Sequence, residues 1–417
     1  MSFNRKAIVV AVGAALAAPC AYAQTAGTGD KWEIYGKFYP EWTHQSGNGA
    51  TDVGTTVSQL STAATGTTAI ISRWEMQISN TYIGFRGQRD LGGGMKAIGQ
   101  LEQQVAIDEG GGTFATRDSF AGIAADWGTV RLGNMDTPFK KYGDVLGFLG
   151  VSSGNFVTAN NISRKVGFGD NAAASFNLRR ANAIDFASQN FGGLQVGVQY
   201  SVGNPTEAGI NPAGNRFPRV ISLGVKWEQG PFYLAAAGER HFDLFGGSNS
   251  LVAGAGGSVA TSNVANANVN SKDTAVQLTG VYKVGVHSFE VDWNTKQYKE
   301  TGATATNAFE EYKNNAYAAI WEGRWTNQWR TSLSYVKATA GSCTIVNASC
   351  SADGLDGNLV AAGVAYYLDP STYLFGLFAR LTNGSSARFN NNGSTTKQTP
   401  NAGEDITQVS VGLAYSF

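Results

Sequence analysis

The closing residues of the chain alternate without a break. Val409, Val411, Leu413, Tyr415 and Phe417 are apolar, whereas Gln408, Ser410, Gly412, Ala414 and Ser416 between them are small or polar. Such period-two patterning predicts a strand with one greasy and one wet face, as expected where a sheet separates lipid from a watery interior. The same pattern appears early in the chain. Across residues 31–43, Trp32, Ile34, Phe38 and Trp42 share one side and Glu33, Tyr35, Lys37, Tyr39 and Glu41 the other, so the charges are confined to one face.

Between these ends, one-sided apolar stretches recur near 74–88, 95–107, 117–125, 129–135, 179–188, 194–202, 220–227, 232–240, 273–283, 287–298, 312–323, 329–338, 358–368, 372–382 and 404–417. With 31–43 they make sixteen predicted strands and no linker that would divide the chain. Short turns at 89–94, 126–128, 189–193, 228–231, 284–287, 326–328 and 369–371 alternate with long polar connections, the longest being 136–177 and 241–272. That asymmetry is expected of an outer-membrane barrel with short periplasmic turns and long external loops. An all-β, 16-stranded antiparallel transmembrane barrel follows, and a barrel of that size leaves an aqueous channel. Aromatic residues at strand ends, among them Trp32, Trp42, Trp127, Trp227, Trp329, Tyr366 and Tyr367, fit interfacial girdles.

Composition adds the address. Residues 1–23 carry Arg5 and Lys6, an apolar run from Ala7 to Ala18, and Ala21-Tyr22-Ala23, which together predict a cleavable secretory leader and a barrel domain spanning 24–417. Formal charge is zero, which gives no reason to expect a nucleic-acid partner. Cys343 and Cys350, the two cysteines outside the leader, lie in a polar stretch, and in an exported protein they predict a local disulfide. His44, His241 and His287 fall in or near different connections and assemble no Ser/His/Asp set, and no Cys/His spacing marks a metal site. Neither an enzymatic reaction nor a cofactor is expected.

The connection 136–177 differs from the others. It mixes Asp136, Lys140, Lys141, Asp144, Arg164 and Lys165 with apolar Phe139, Leu146, Phe148, Leu149 and Phe156. A solvent-exposed loop has no use for so many apolar side chains, so this third long loop is expected to fold inward and narrow the lumen; an external lid is the alternative. Lumenal parity would then set Lys37, Arg86, Glu102, Arg131 and Arg179 or Arg180 across from Asp136 and Asp144 as the pore constriction.

The run Tyr82-Ile83-Gly84-Phe85-Arg86-Gly87-Gln88, then Asp90-Leu91-Gly92 and residues 96–103, resembles the second hairpin of Gram-negative general porins of the neisserial and burkholderial kind. Gly128 to Asn134 resembles the strand that leads into their constriction loop, and Arg180 to Ser188 the strand that leaves it. The resemblance implies a homotrimer of sixteen-stranded barrels in outer-membrane lipid that passes ions and small hydrophilic solutes. It also implies lumenal roles for Arg86 and Arg131, and an assembly signal in Phe417 with Tyr415. The closing Ala414-Tyr415-Ser416-Phe417 lacks the basic residues common there, and the loop carries mixed charge, which leaves the sign of ion preference open. A substrate-specific channel, or an adhesin or receptor barrel, is the alternative function.

Overall fold

The computed structural model describes residues 30–110, 114–149, 151, 155–169, 175–203, 217–244, 269–391 and 398–417. The expected leader lies outside the described residues. One antiparallel sheet of nineteen hydrogen-bonded segments closes on itself. Two pairs of segments are halves of single wall strands, and Ser342–Ile345 is a short strand within a loop, which leaves sixteen strands in the wall.

These are β1 (Lys31–Phe38, resuming as Glu41–Asn48), β2 (Arg73–Gln77, resuming as Tyr82–Gly92), β3 (Met95–Gln104), β4 (Ser119–Ala125), β5 (Gly128–Asp136), β6 (Arg179–Ser188), β7 (Leu194–Val202) and β8 (Arg219–Gln229). The second half comprises β9 (Phe232–Phe242), β10 (Asn270–Val284), β11 (His287–Thr301), β12 (Phe309–Arg324), β13 (Trp329–Ala338), β14 (Gly357–Asp369), β15 (Thr372–Asn383) and β16 (Asp405–Ser416). Each pairs with its neighbour in sequence, and β16 returns to β1 through Asp405↔Asn48 to Gly412↔Glu41 and then Lys37↔Ser416. Closure leaves no open sheet edge.

The alternation read from the sequence sorts side chains as expected for lipid outside. Val411 is 60% exposed while its neighbour Ser410 is 1% exposed and Gln408 fully buried. Trp32, Ile34 and Trp42 likewise face outward, whereas Glu41, Thr43 and Gln45 are buried. Phe417 caps the seam: its backbone exchanges two hydrogen bonds with Gly36, each 3.1 Å, and its ring lies 5.6 Å from Phe38 and 5.9 Å from Tyr415.

Some boundaries differ from expectation. The first strand runs on to Asn48 instead of Thr43, but breaks at Tyr39-Pro40 because proline brings no N–H to the ladder. Beside it, β2 breaks between Gln77 and Tyr82, and the Tyr39 amide donates across both breaks to Thr81 Oγ1 at 2.9 Å. The turn expected at 89–94 is tighter, since β2 continues to Gly92 and three successive glycines, Gly92 to Gly94, take left-handed φ. Tyr367 does not join an outer girdle. It holds the inward parity of Leu359, Ala361 and Ala365 and sets its ring against Tyr373, its partner in register, centroids 4.8 Å apart, while Tyr366 packs outward on Trp329. Cys343 and Cys350 are bonded, with Cα atoms 5.6 Å apart.

Candidate functional site: the loop after β5 and the charged wall

The connection from β5 to β6 begins with a one-turn helix, α1 (Pro138–Lys141), started by Thr137, whose Oγ1 accepts from the Lys140 amide at 3.3 Å. A second turn, α2 (Asn160–Ser163), follows. The first turn packs on β7, β8 and β9 and the second on β12, β13 and β14, so the segment touches widely separated parts of the wall. Glycine makes the close approach possible: a β-carbon at Gly197 or Gly224 would collide with the Tyr142 ring.

Polar side chains on the inward parity of the strands hold the backbone of this loop. Glu290 on β11 accepts from the amides of Val145 at 2.7 Å and Leu146 at 2.6 Å. Lys296, also on β11, donates to the Ser163 carbonyl at 2.6 Å, and Asn155 donates to Glu41 on β1 at 2.7 Å. Arg164 is buried and donates to Gln277 on β10 at 3.1 Å, to Asn177 at 3.1 Å and to the Lys140 carbonyl at 3.3 Å. Apolar side chains complete the attachment. Phe148, Leu149, Val151, Phe156, Val157 and Ile162 form one buried cluster with Ala318, Ile320, Val336, Leu359 and Leu377 of β12 to β15.

A second set of charged inward side chains comes from β1 to β6 and the segments between them. Arg131 and Asp185 face each other in register across β5 and β6 and pair through Nε and Oδ1 at 2.8 Å; Lys141 Nζ approaches the other carboxylate oxygen at 3.6 Å. Arg179 bridges Asp118 at 2.6 Å and Asp136 at 3.0 Å, and Asp136 also receives Lys140 at 2.9 Å. Glu102 pairs with Arg117 and accepts from the Tyr35 hydroxyl at 2.9 Å. Arg86 pairs with Glu33 and lies 4.6 Å from the centre of the Tyr35 ring. A continuous strip of alternating charge results.

Burial and pairing compete in this strip. At Asp118 burial disfavours the charge, but Arg179 and Lys141 outweigh it and hold the carboxyl below its ordinary range. Burial lowers Lys140 and Lys141, opposed by Asp136 and Asp185 respectively. Lys37 stands apart, because no carboxylate pairs with it among the described residues. Its ammonium lies 4.7 Å from the centre of the Tyr39 ring and 5.8 Å from that of Tyr373, and the Tyr373 hydroxyl reaches the Leu149 carbonyl of the loop at 3.5 Å. Arg330 on β13 completes this side, paired with Glu322 and donating to Tyr367 Oη at 3.3 Å.

A profile of the Gram-negative porin family matches residues 7–386. The chain belongs to that family. Relatives include the major outer membrane protein P.IB of Neisseria meningitidis serogroup B, 28% identical over 169 residues, 40% of this chain and 45% of that protein. P.IA of N. meningitidis serogroup C is 45% identical over 71 residues, 16% of this chain and 18% of that one. The porin thus aligns with less than half the length of these curated relatives. Its fold matches the anion-selective porin from Comamonas acidovorans over 93% of this chain and all of that one, at TM-score 0.65 and 19% identity. Salmonella typhi OmpF in complex with daunomycin matches over 93% and 98% at TM-score 0.56 and 16% identity.

Of the residues singled out in the porin's sequence, the structure joins Asp136 to Arg179, pairs Arg131 with Asp185 beside them through Gln199, which donates to both the Asp136 carbonyl and Asp185, and sets Glu102 and Arg86 on either side of Tyr35 on the neighbouring strands. Arg180 points to Ser201 at 3.3 Å. Asp144 is the exception. It lies buried between loop and wall, accepting from Asn160 at 2.9 Å, and burial raises its carboxyl to about 7 against the opposing pull of Arg164. A buried carboxyl under the loop is an anchor and not part of the facing charges. Arg117, Asp118, Asp185, Glu322 and Arg330 were missed. Asp185 was legible in principle, since it holds the wet parity between Ile184 and Phe186 directly across from Arg131.

Proposed function

We propose that this porin forms a water-filled channel in the outer membrane for passive diffusion of ions and small hydrophilic solutes, with three copies assembled side by side. The carrying observation is a closed barrel whose inner wall from β1 to β6 presents a strip of charge, while the loop after β5 is fastened to β10, β11 and β12 to β15. On this reading Lys37, Arg86, Glu102, Arg117, Arg131, Asp136, Arg179 and Arg180 line the narrowest passage. Fields in such an opening act on every ion that passes. The relatives are major outer membrane proteins, and a Vibrio cholerae structural neighbour is described in a trimer form, covering 93% of this chain at TM-score 0.61 and 12% identity. Residues 1–23 serve as the export leader, and Phe417 with Tyr415 as the assembly signal. No chemical step is assigned to the barrel.

Anion preference is the selectivity the geometry favours. Carboxylates neutralise Arg86, Arg117, Arg131, Arg179 and Arg330, whereas Lys37 keeps an uncompensated charge. The neighbour from Comamonas acidovorans is itself an anion-selective porin. Planar-bilayer recording tests both parts. Purified folded protein should give stable conductance steps that close in threes, with a zero-current potential of anionic sign in a salt gradient. Absence of conductance would remove the channel reading, and strong block by one class of solute would replace general diffusion with a substrate-specific channel.

A further inference from the structure

Residues 164–169 of the loop after β5 make a further attachment, and it reaches other loops as well as the wall. Phe168 is fully buried, its ring edge-on to Tyr312 at 4.9 Å and 6.5 Å from Phe309, at the long-loop end of β12. Leu60 from the loop after β1, with Ile345, Ala352 and Leu355 from the loop after β13, belongs to the same buried cluster. The backbone beside Phe168 is gripped too. The Gly167 carbonyl accepts from the Arg388 amide at 2.6 Å, Lys165 donates to the Asn390 carbonyl at 3.1 Å, and a β-carbon at Gly167 would collide with the Leu355 carbonyl. Phe168 thus sits in a socket built by the loops after β1, β13 and β15.

A disulfide forms part of that socket. Cys343 pairs in register with Tyr312, and Cys343 and Cys350 both pack against the cluster while remaining half-buried. Their bond closes a turn whose next residue, Ser351, donates its amide to Gln59 at 2.7 Å and accepts from the Ser58 hydroxyl at 2.6 Å. Just beyond, Ser386 donates its hydroxyl to the Asp353 carbonyl at 2.7 Å and its amide to the Gly354 carbonyl at 2.9 Å. Every other link named here is non-covalent. Solution chemistry can therefore open the socket at the disulfide without changing a residue, provided a thiolate can reach a sulfur, and partial exposure gives that access.

We propose that the Cys343–Cys350 bond is a redox latch that positions the loop after β5 through Phe168. A dithiol supplies the reduction. Its first thiolate attacks one sulfur and breaks the Sγ–Sγ bond, so that one cysteine leaves as a thiolate and takes up a proton. The second thiol then resolves the mixed disulfide, which frees the other cysteine and leaves the reagent as a cyclic disulfide; two electrons and two protons pass to the protein. Without its ring the segment 346–352 gains conformational freedom, the hold on Ser58 and Gln59 loosens, and Phe168 is released. Arg164, which ties the same stretch to Gln277 on β10, passes that slack to the part of the loop lying against the wall. The proposal rests on the channel reading, since what the latch sets is the width of the passage.

The test records the full-length protein in planar bilayers before and after dithiothreitol, with hydrogen exchange of residues 164–169 followed in detergent on both forms. Reduction should raise the step conductance and admit larger polyethylene glycols, and reoxidation with diamide should reverse both. Exchange at 164–169 should quicken about tenfold, within the roughly fiftyfold that opening a ring of this length allows. Cys343→Ser/Cys350→Ser should behave as the reduced protein from the outset and ignore the dithiol. Phe168→Ala should do the same with the bond intact, the folding of each variant being checked by its heat-dependent shift on gels. An unchanged conductance and polymer cutoff, with reduction verified by mass, would overturn the latch, and so would a Phe168→Ala protein that still responds in full. Faster exchange in a protein that never conducts would overturn the channel reading and leave the socket in place.

Discussion

Replacing Lys37 with glutamine tests whether one uncompensated charge sets ion preference. The substitution keeps a side chain over Tyr39 and leaves the backbone pairs of Lys37 with Tyr82 and Ser416 in place. For an ion passing about 6 Å from the ammonium, the interaction in water is about 0.7 kcal/mol. Screening at physiological salt reduces this by about half. The charge attracts an anion and repels a cation equally, so its loss shifts the ratio of the two by about 0.7 kcal/mol, roughly threefold. In a tenfold salt gradient that corresponds to a zero-current potential moving toward cations by roughly 20 mV, given near-equal permeabilities afterwards.

The assay is reversal potential in a planar bilayer, repeated at low and high salt. Screening requires the shift to shrink as ionic strength rises. Lys37→Arg should hold the wild-type value, because it keeps the charge. An unchanged potential in Lys37→Gln, with conductance intact, would refute the reasoning and move the selectivity filter away from the Tyr39 and Tyr373 side.

Other consequences follow from the same contacts. Arg131→Gln strips the main partner from Asp185, whose side chain is almost wholly buried, and should cost about 1–3 kcal/mol as a lowered thermal unfolding midpoint. Asp144 has a pH signature: a carboxyl raised to about 7 in the fold binds more protons folded than unfolded between its ordinary value and 7. Its contribution to stability is therefore present in acid and lost as pH rises through that window. Thermal melts from pH 5 to 8 should show the loss, and Asp144→Asn should flatten it. Cys343→Ser/Cys350→Ser opens a short loop worth about 2.5 kcal/mol of closure. Limited proteolysis should cut sooner around residues 342–352, with the barrel intact. Phe417→Ala removes ring contacts with Phe38 and Tyr415 at the seam and should reduce the yield of folded barrel on gels.

How much of this was legible in the sequence depended on which neighbour a residue needed. Strands at 194–202 and 329–338 match the structure at both ends, because period-two alternation there stops at turns that local residues specify. The break at Tyr39-Pro40 was not legible, since it is stabilised by Thr81, forty-two residues away. Inward Ala318, Ile320, Val336 and Leu359 violate the rule that one face is wet, and they do so because the loop after β5 covers them. Periodicity records only whether a position is apolar, not what lies over it. Asp136 and Asp144 are alike in sequence for the same reason: one reaches Lys140 and Arg179, the other is sealed under the loop.

These two kinds of position explain how one chain divides its charges. An inward charge on β1 to β6 shares a confined space with its neighbours, where an unpaired buried ion is costly, so carboxylates and guanidinium groups come as pairs. Pairing fixes the geometry of the strip and cancels most of its field, and on the proposed reading that leaves the preference of the passage to the few charges that escape it, Lys37 first. On the outward rim of β8 to β15, Lys299 still meets Glu311 and Arg380 still meets Asp405, but Lys272, Lys313 and Lys337 meet no carboxylate among the described residues. The same residue types thus take opposite settings: paired across the inner wall, where burial makes a lone charge costly, and left without a carboxylate among the described residues at Lys272, Lys313 and Lys337 on the outer one, where exposure removes that cost.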